Sequence, residues 1–275
     1  MEYKTIRCSS LLNTITKRDT LFIGTYTLDP YQNCEFKCCY CDSSTENTVY
    51  IKINAAQILE IELKKLQKNH KRKNDKGFII IGSISDPYQE AEKEYGITKN
   101  LLETIRQHGF PCHILTKSTL ILRDVDTLVE MKKAVVTISM ISLDENISNI
   151  FEGKTPSPME RLKTVKKLSE KGIQAGIAVI PLLPYIVEDE LKDIIEMAYR
   201  HKAHHLLHRC LELKGDQKKI FMETIEKTYP HLIDNYKKLY GDSYKPDRRY
   251  TLRLNKLINS YCEKHGIPTA IRNYV

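Results

Sequence analysis

Apolar positions in this chain fall into two alternating patterns, and the alternation predicts an architecture. Short apolar runs without a polar face, at Thr20 to Leu28, Phe78 to Ile84, Cys112 to Thr116, Val135 to Met140, Gln174 to Pro181 and His204 to Cys210, predict strands buried on both sides. Between them, apolar residues at three- and four-residue spacing predict helices over about 55–70, 97–108, 119–133, 158–171 and 188–201. Gly109 stands where a glycine closes the second of these helices. Strands joined by crossover helices predict a parallel sheet with right-handed connections. The expected fold class is α/β, a partial (β/α)6 TIM-like barrel, with ligands gathered at the C-terminal strand ends. Residues 1–212 carry the barrel and residues 213–275 a helical C-terminal extension packed on it. The whole reads as a single structural unit, because no Gly/Ser-rich, Pro-rich or low-complexity stretch divides it.

Composition narrows the partners. A chain of 275 residues is long enough to bury a substantial core. Its start lacks an apolar signal core and no apolar run approaches membrane-spanning length, so a cytoplasmic protein without a membrane partner is expected. In that reducing compartment eight cysteines read as ligands or buried thiols rather than bridges. Lys and Arg outnumber Asp and Glu by 43 to 35, a net charge of +8 that hints at an anionic partner. The densest basic run, at 69–76, joins a helix end to a strand and has no interleaved aromatic residues, which favours a solvated face over a base-stacking surface. Nucleic acid stays open as a partner, but nothing here points to it. The tail tyrosines Tyr229, Tyr236, Tyr240, Tyr244, Tyr250 and Tyr261 either stack on bases or pack a helical cap on the barrel.

One segment speaks chemistry directly. Cys34, Cys38 and Cys41 stand in CxxxCxxC spacing within Asn33-Cys-Glu-Phe-Lys-Cys-Cys-Tyr-Cys-Asp42. Adjacent cysteines and tight spacings argue against disulfides. Structural zinc draws four ligands from paired clusters, and no second pair exists: Cys8, Cys112, Cys210 and Cys262 are isolated, and the next histidine, His70, is far along the chain. Cys39 is a fourth candidate, although adjacent side chains on a loop usually diverge. Three thiolates on a four-iron cluster leave one iron open to bind something else. Zinc remains the competing reading.

These residues carry a resemblance. Cys34-x3-Cys38-x-Tyr40-Cys41 is similar to the signature of the radical S-adenosylmethionine enzymes. That resemblance implies a [4Fe-4S] cluster on Cys34, Cys38 and Cys41 and S-adenosyl-L-methionine chelated to the open iron through its amino and carboxylate groups. It implies reductive cleavage to a 5′-deoxyadenosyl radical that abstracts hydrogen from a substrate, and an external one-electron reductant of flavodoxin or ferredoxin type. Tyr40 matches the family's aromatic, whose usual place is near the adenine. Asp29-Pro-Tyr-Gln-Asn-Cys34, Ile114-Leu-Thr-Lys-Ser118 and Phe151 to Leu162 resemble the spore photoproduct lyase-like branch, the DNA repair photolyase-like proteins of that family. The resemblance runs from about Thr25 to Pro184 and more loosely into the tail.

Further site residues follow from the strand ends. In the family the segment after the second strand meets the amino group of the cofactor, which implicates Ser83 and Ser85, with Gly82 as the turn that permits close approach. An ordinary Asp86-Pro87 turn explains the prolyl end of that segment but not its serines. Lys117 closes the third strand, either as a solvated lysine or as an ammonium opposite the cofactor carboxylate. Ser118 reads as a helix N-cap. Ser139 is polar in an apolar strand, placed for a ribose or carboxylate or bonded to backbone. Two prolines, Pro181 and Pro184, are expected to stop the fifth strand, and the resemblance implies adenine contact by the backbone at Pro181. Glu152 and Arg161 form either an internal ion pair or, through Arg161, a contact to the cofactor carboxylate. His204, His205 and His208 alternate faces on a strand, so they read as ordinary polar residues rather than a shared metal site.

The chain departs from the true lyases at two positions. Those enzymes carry a thiol hydrogen donor at the end of the second strand, where this chain has Gly82-Ser83-Ile84-Ser85, and an aromatic after the last cluster cysteine, where it has Asp42. The function expected is therefore a radical enzyme, of lyase or transferase type, acting on a substrate the sequence does not identify. Thymine-dimer repair is the alternative, and a non-catalytic iron–sulfur or nucleic-acid-binding protein is an alternative of another class.

Overall fold

The computed structural model describes residues 1–17, 21–44, 46–69 and 77–271; Thr20 and residues 70–76 of the basic run lie outside them. In chain order the elements are β1 (Glu2–Ile6), β2 (Asn13–Thr14), β3 (Gly24–Leu28), β4 (Tyr31–Gln32), β5 (Thr48–Lys52), α1 (Ala55–Asn69), β6 (Phe78–Ile81), α2 (Ala91–Tyr95) and α3 (Ile97–His108). They continue with β7 (Cys112–Thr116), α4 (Val125–Glu130), β8 (Ala134–Ser139), α5 (Glu145–Glu152), α6 (Pro158–Glu170), β9 (Gln174–Leu182), α7 (Leu191–Arg200), β10 (Leu206–Cys210), α8 (Gln217–Thr228), α9 (Ile233–Tyr240) and α10 (Arg248–Lys264).

Six strands pair in parallel in the order β10, β9, β8, β7, β6, β3, and the short β2 lies antiparallel to β3 at the far edge. This is the expected partial α/β barrel. Its strands are apolar on both faces because helices cover one side and the barrel interior the other. A second sheet, β1, β5 and β4, was not expected. Its middle strand alternates buried and half-buried residues, the period-two pattern of a sheet with only one covered face.

Local chemistry explains the helix ends. Ser157 and Glu160 form a reciprocal capping box at the start of α6, with Pro158 just inside it. Gly109 takes the left-handed conformation that ends α3. The expected helix over 119–133 is instead a 3-10 segment, Thr119–Asp124, followed by the short α4. Ser118 caps that segment by accepting from the Leu120 amide at 3.2 Å. Within the stretch from Phe151 to Leu162, its first two residues end a helix, α5, which Asp144 caps. The second strand stops at Ile81 because Gly82 turns away at φ 88°. The fifth strand does not stop at Pro181; β9 passes through a cis Ile180–Pro181 peptide to Leu182, whose carbonyl accepts from the Leu211 amide.

The tail is fastened to the barrel by tyrosines. Tyr236 donates to the Pro184 carbonyl at 2.7 Å, Tyr240 to the Leu211 carbonyl at 2.8 Å, and Tyr250 to Glu188. Packing, not base stacking, accounts for these three. No described helix is long and apolar enough to cross a membrane.

Inside the barrel a polar chain joins β7, β8 and the residue that precedes β10. His113 on β7 faces the Phe22 carbonyl with Nδ1 at 2.9 Å, so that nitrogen carries the proton and Nε2 accepts from Thr137 at 2.7 Å. The Thr137 oxygen must then accept from His205 Nε2, at 2.7 Å. His205 reaches Thr137 over Gly176, where an added Cβ would stand 2.6 Å from the imidazole ring. Burial, with His113 and His204 nearby, lowers the His205 pKa to about 3. His204 turns instead toward Ser169 and His208 toward Asn259, so the three histidines share no site.

His205 therefore folds neutral and the unfolded chain binds the extra proton as pH falls below the ordinary value of 6.5. Its contribution is complete above that pH and is lost progressively toward pH 3. Each pH unit in that window removes about 1.4 kcal/mol. Between pH 7 and pH 5 the parent should lose about 2 kcal/mol more than His205→Gln in urea unfolding; equal losses would show that His205 is not held neutral.

Candidate active site

The cysteine loop follows β3 and β4 and is clamped by its neighbours. The Cys34 amide donates to the Ser43 carbonyl at 2.7 Å and the Cys39 amide to the Phe151 carbonyl at 3.0 Å. The Lys154 amide returns to the Phe36 carbonyl at 3.1 Å. Gly153 has φ 58°, and a Cβ there would stand 2.5 Å from the Phe36 carbonyl, so only glycine lets the end of α5 lie this close to the loop.

A cavity of about 480 Å³ opens at the C-terminal ends of the strands. Cys34, Cys38 and Cys41 all line it. Cys39 does not, and its side chain lies against Thr224 of α8. Among the described residues no three His, Cys, Asp or Glu side chains converge as ligands of a single ion. Three thiols on one cavity wall could hold a polynuclear group. Burial, aided by Asp86, pushes the Cys34 thiol up to about 12, and burial raises Cys38 as well. Such thiols ionise when a metal supplies compensating positive charge.

The opposite wall comes from the ends of β6 and β7. Gly82 lines the cavity with its positive φ, and a Cβ there would stand 2.4 Å from the Leu115 carbonyl. Crowding by the protein itself thus dictates this glycine. Buried Asp29, at the end of β3, accepts from the Ser83 hydroxyl at 3.0 Å and from the amides of Ile84 and Ser85 at 2.9 and 3.2 Å. Ser83 is exposed in the cavity wall; Ser85 lines the same wall but is buried, and its hydroxyl donates to the Tyr31 carbonyl at 2.8 Å. Asp86 accepts from Thr116 Oγ1 at 2.6 Å and from the Lys117 amide at 2.7 Å. Its carboxyl pKa is raised by burial despite these donors.

Lys117 lies in the same wall, with Nζ 5.9 Å from the Tyr40 ring centroid. Burial disfavours its ammonium, but Cys38, Glu152 and Asp86 favour it more, and its pKa rises. Ser139 lines the cavity too, with its hydroxyl donating to the Ile180 carbonyl at 3.3 Å. Ile180 is part of the wall and Pro181 is not.

Tyr40 is not in the wall either. It is buried, and its hydroxyl donates to Glu152. Arg161 meets Glu152 at 2.5 Å, both side chains fully buried, and also donates to the carbonyls of Pro156 and Ser139 at 2.7 and 3.1 Å. The internal ion pair is thus the arrangement found, and it supports the cysteine loop through Tyr40. Asp29, Asp86 and Arg209, the last in the wall at the end of β10, were not singled out from the sequence. Asp29 stood only within the stretch to Cys34 that carries the family resemblance, Asp86 read as an ordinary Asp-Pro turn, and nothing near Arg209 marked it.

The chain carries the sequence pattern of the radical SAM superfamily over residues 28–198. It is 26% identical over 268 residues to an uncharacterized protein of Mycobacterium tuberculosis, covering 90% of this chain and 77% of the relative. Its fold matches a spore photoproduct lyase variant with bound AdoMet and dinucleoside spore photoproduct, with TM-score 0.74 and 18% identity over 97% of this chain and 79% of the other. It also matches Streptococcus suis SuiB bound to S-adenosylmethionine, with TM-score 0.62 and 18% identity over 86% of this chain and 47% of the other. The chain belongs to the radical SAM superfamily, and it is an enzyme of that class.

Proposed function

We propose that Cys34, Cys38 and Cys41 hold a [4Fe-4S] cluster and that S-adenosyl-L-methionine binds over it, within the cavity. The observation that carries this reading is the sorting of four neighbouring cysteines: three open on one cavity and Cys39 turns out of it. When bound, the cluster and cofactor together supply one-electron cleavage to a 5′-deoxyadenosyl radical able to take hydrogen from a substrate.

The chain's own groups bind and orient. The Lys117 ammonium faces the cofactor carboxylate, and the exposed Ser83 hydroxyl, held by Asp29, meets its amino group. Ser85 contributes through the backbone turn that its own hydroxyl anchors, and Gly82 lets that turn form. Ser139 and the Ile180 backbone lie on the side left for ribose and adenine. Tyr40 acts from behind, holding Lys117 and the loop rather than touching adenine. Ile80, Ala178 and Ile180 make an apolar wall that keeps water from the reacting centre.

The substrate reading favours something other than a thymine dimer. Among the described residues no thiol beyond the three candidate ligands lines the cavity. Cys112 is buried against Met131, Cys210 lies toward Thr251, and Cys262 is buried in α10. Photoproduct lyase activity remains the second reading, on the strength of the shared fold, and release of thymines from irradiated DNA is its direct assay.

The deciding experiment is anaerobic reconstitution with iron and sulfide, then dithionite and S-adenosylmethionine. Formation of 5′-deoxyadenosine and a cofactor-induced change in the cluster EPR signal are expected; the absence of both sinks the reading. Lys117→Met should retain cluster absorbance yet bind S-adenosylmethionine at least about tenfold more weakly, as loss of a charge-assisted contact predicts. Unchanged affinity would remove Lys117 from the cofactor site.

A further inference from the structure

Among the described residues the cavity wall contains two cations, Lys117 just after β7 and Arg209 on β10. The proposed cofactor brings one carboxylate, and Lys117, beside the cysteine loop, is placed to receive it. Arg209 has no such partner. It stands near the end of β10, exposed at the cavity wall, where the pairing with β9 shifts register between His208 and Cys210. Its neighbour Cys210 lies toward Thr251 of α10, out of the cavity.

The carboxylate nearest in sequence cannot serve it fully. Glu212 takes Lys214 on one oxygen at 2.5 Å and Lys245 on the other at 3.6 Å. Among the described residues Arg209 makes no hydrogen bond or ion pair, although it is near enough to Glu212 and Lys214 to influence both. Lys214 and Lys245 also flank the exposed Tyr244 ring, at 4.7 and 5.4 Å from its centroid. Among the described residues Asp42 also stands on this side, its Oδ1 3.9 Å from where a Cβ on Gly215 would sit, so Arg209, Lys214 and Lys245 face Glu212 and Asp42 and the rim keeps a net positive charge. A guanidinium in that setting keeps its donor fork available, and the surrounding charge draws anions toward it.

We infer that Arg209 is the substrate's anion anchor: the substrate of this radical enzyme carries a phosphate or carboxylate group that docks on Arg209, while the rest of the molecule extends toward the cysteine side of the cavity. This rests on the cofactor reading above. Arg209 sets position and specificity, fixing which part of the substrate faces the reacting centre, and takes no part in the chemistry.

The test reads binding rather than turnover. The anaerobically reconstituted protein is titrated calorimetrically with inorganic phosphate and, separately, with acetate, each with and without S-adenosylmethionine. A saturable isotherm is expected for at least one anion, the stronger identifying a phosphate-bearing or carboxylate-bearing substrate. Arg209→Gln should weaken it by about fivefold or more and Arg209→Lys by less, because the ammonium keeps the charge and loses the fork. The thermal midpoint and S-adenosylmethionine affinity of Arg209→Gln should match the parent. Identical isotherms in parent and Arg209→Gln, or no saturable binding of either anion, overturn the assignment. Displacement of the anion by S-adenosylmethionine also overturns it, since that places the anion on Lys117. Failure of the parent to form 5′-deoxyadenosine would instead strike the cofactor reading, leaving the Arg209 isotherm to stand or fall separately.

Discussion

Cys34→Ala, Cys38→Ala and Cys41→Ala should each abolish assembly of the iron–sulfur chromophore on anaerobic reconstitution, while Cys39→Ala assembles it at close to the parent level. The expected contrast is all or nothing, because each of the three thiols lines the cavity and no other described thiol does. Loss of one leaves a cluster corner without a protein ligand, and Cys39 cannot replace it without unmaking the loop. Its amide is tied to the Phe151 carbonyl at 3.0 Å and its side chain faces α8. Iron and sulfide content, with the visible absorbance of the reconstituted protein, measures the outcome. A Cys39→Ala protein that takes up no iron would overturn the ligand assignment, whatever the other three do.

The second large effect is expected away from the cavity wall. Arg161→Met should destabilise the cluster-free protein by about 3–5 kcal/mol, the range for breaking a buried ion pair on one side. Removing the guanidinium leaves the Glu152 carboxylate fully buried with the Tyr40 hydroxyl and Ser148 as its remaining partners. It also releases the Ser139 and Pro156 carbonyls. Anaerobic urea unfolding checks this. The double variant Glu152→Gln with Arg161→Met should recover part of the loss, since the stranded charge is gone. A single-variant loss under about 1 kcal/mol, the value of an exposed pair, would mean that the pair is not buried in solution.

These two results bear on the same design. The cysteine loop has little regular structure, and two of its residues, Asn33 and Lys37, take positive φ without being glycine. Such a loop holds its shape only if its surroundings determine it. Here they do so through the end of α5, through Tyr40 and Glu152, and through Arg161. The stretch from Phe151 to Leu162, which resembles a family segment, thus supports the site rather than entering it.

How much of this was legible varies with the range of the interaction responsible. The six parallel strands read from their apolar runs, because burial on both faces leaves a local trace in composition. The end of α3 at Gly109 and the cap at Ser118 read from single residues, since caps are local. The small sheet of β1, β5 and β4 went unseen because its strands are far apart in sequence and two of them are exposed or very short. The strand through Pro181 was cut short, because a proline signals an end only where its missing amide would have been needed. Gly82, read as letting a cofactor approach the backbone, lines the cavity, and the Leu115 carbonyl beside it is a second reason for glycine there that no local pattern could show.

For the site, the sequence by itself determined the chemistry class. Thiols at CxxxCxxC spacing are a local pattern, and their chemistry depends on residue type and separation more than on what packs around them. What only the tertiary structure decided is how side chains from separate strands divide between support and contact. Tyr40 and Arg161 turn inward to bond with the protein, Ser85 lines the cavity but spends its hydroxyl on the Tyr31 carbonyl, and Ser83, Lys117 and Arg209 stand in the wall. Residue type cannot make that division, because a hydroxyl or a cation is used wherever its nearest partner lies. The partners of the supporting residues, at the Tyr31 carbonyl and at Glu152, reach them only when the strands and helices that carry them have closed around one cavity.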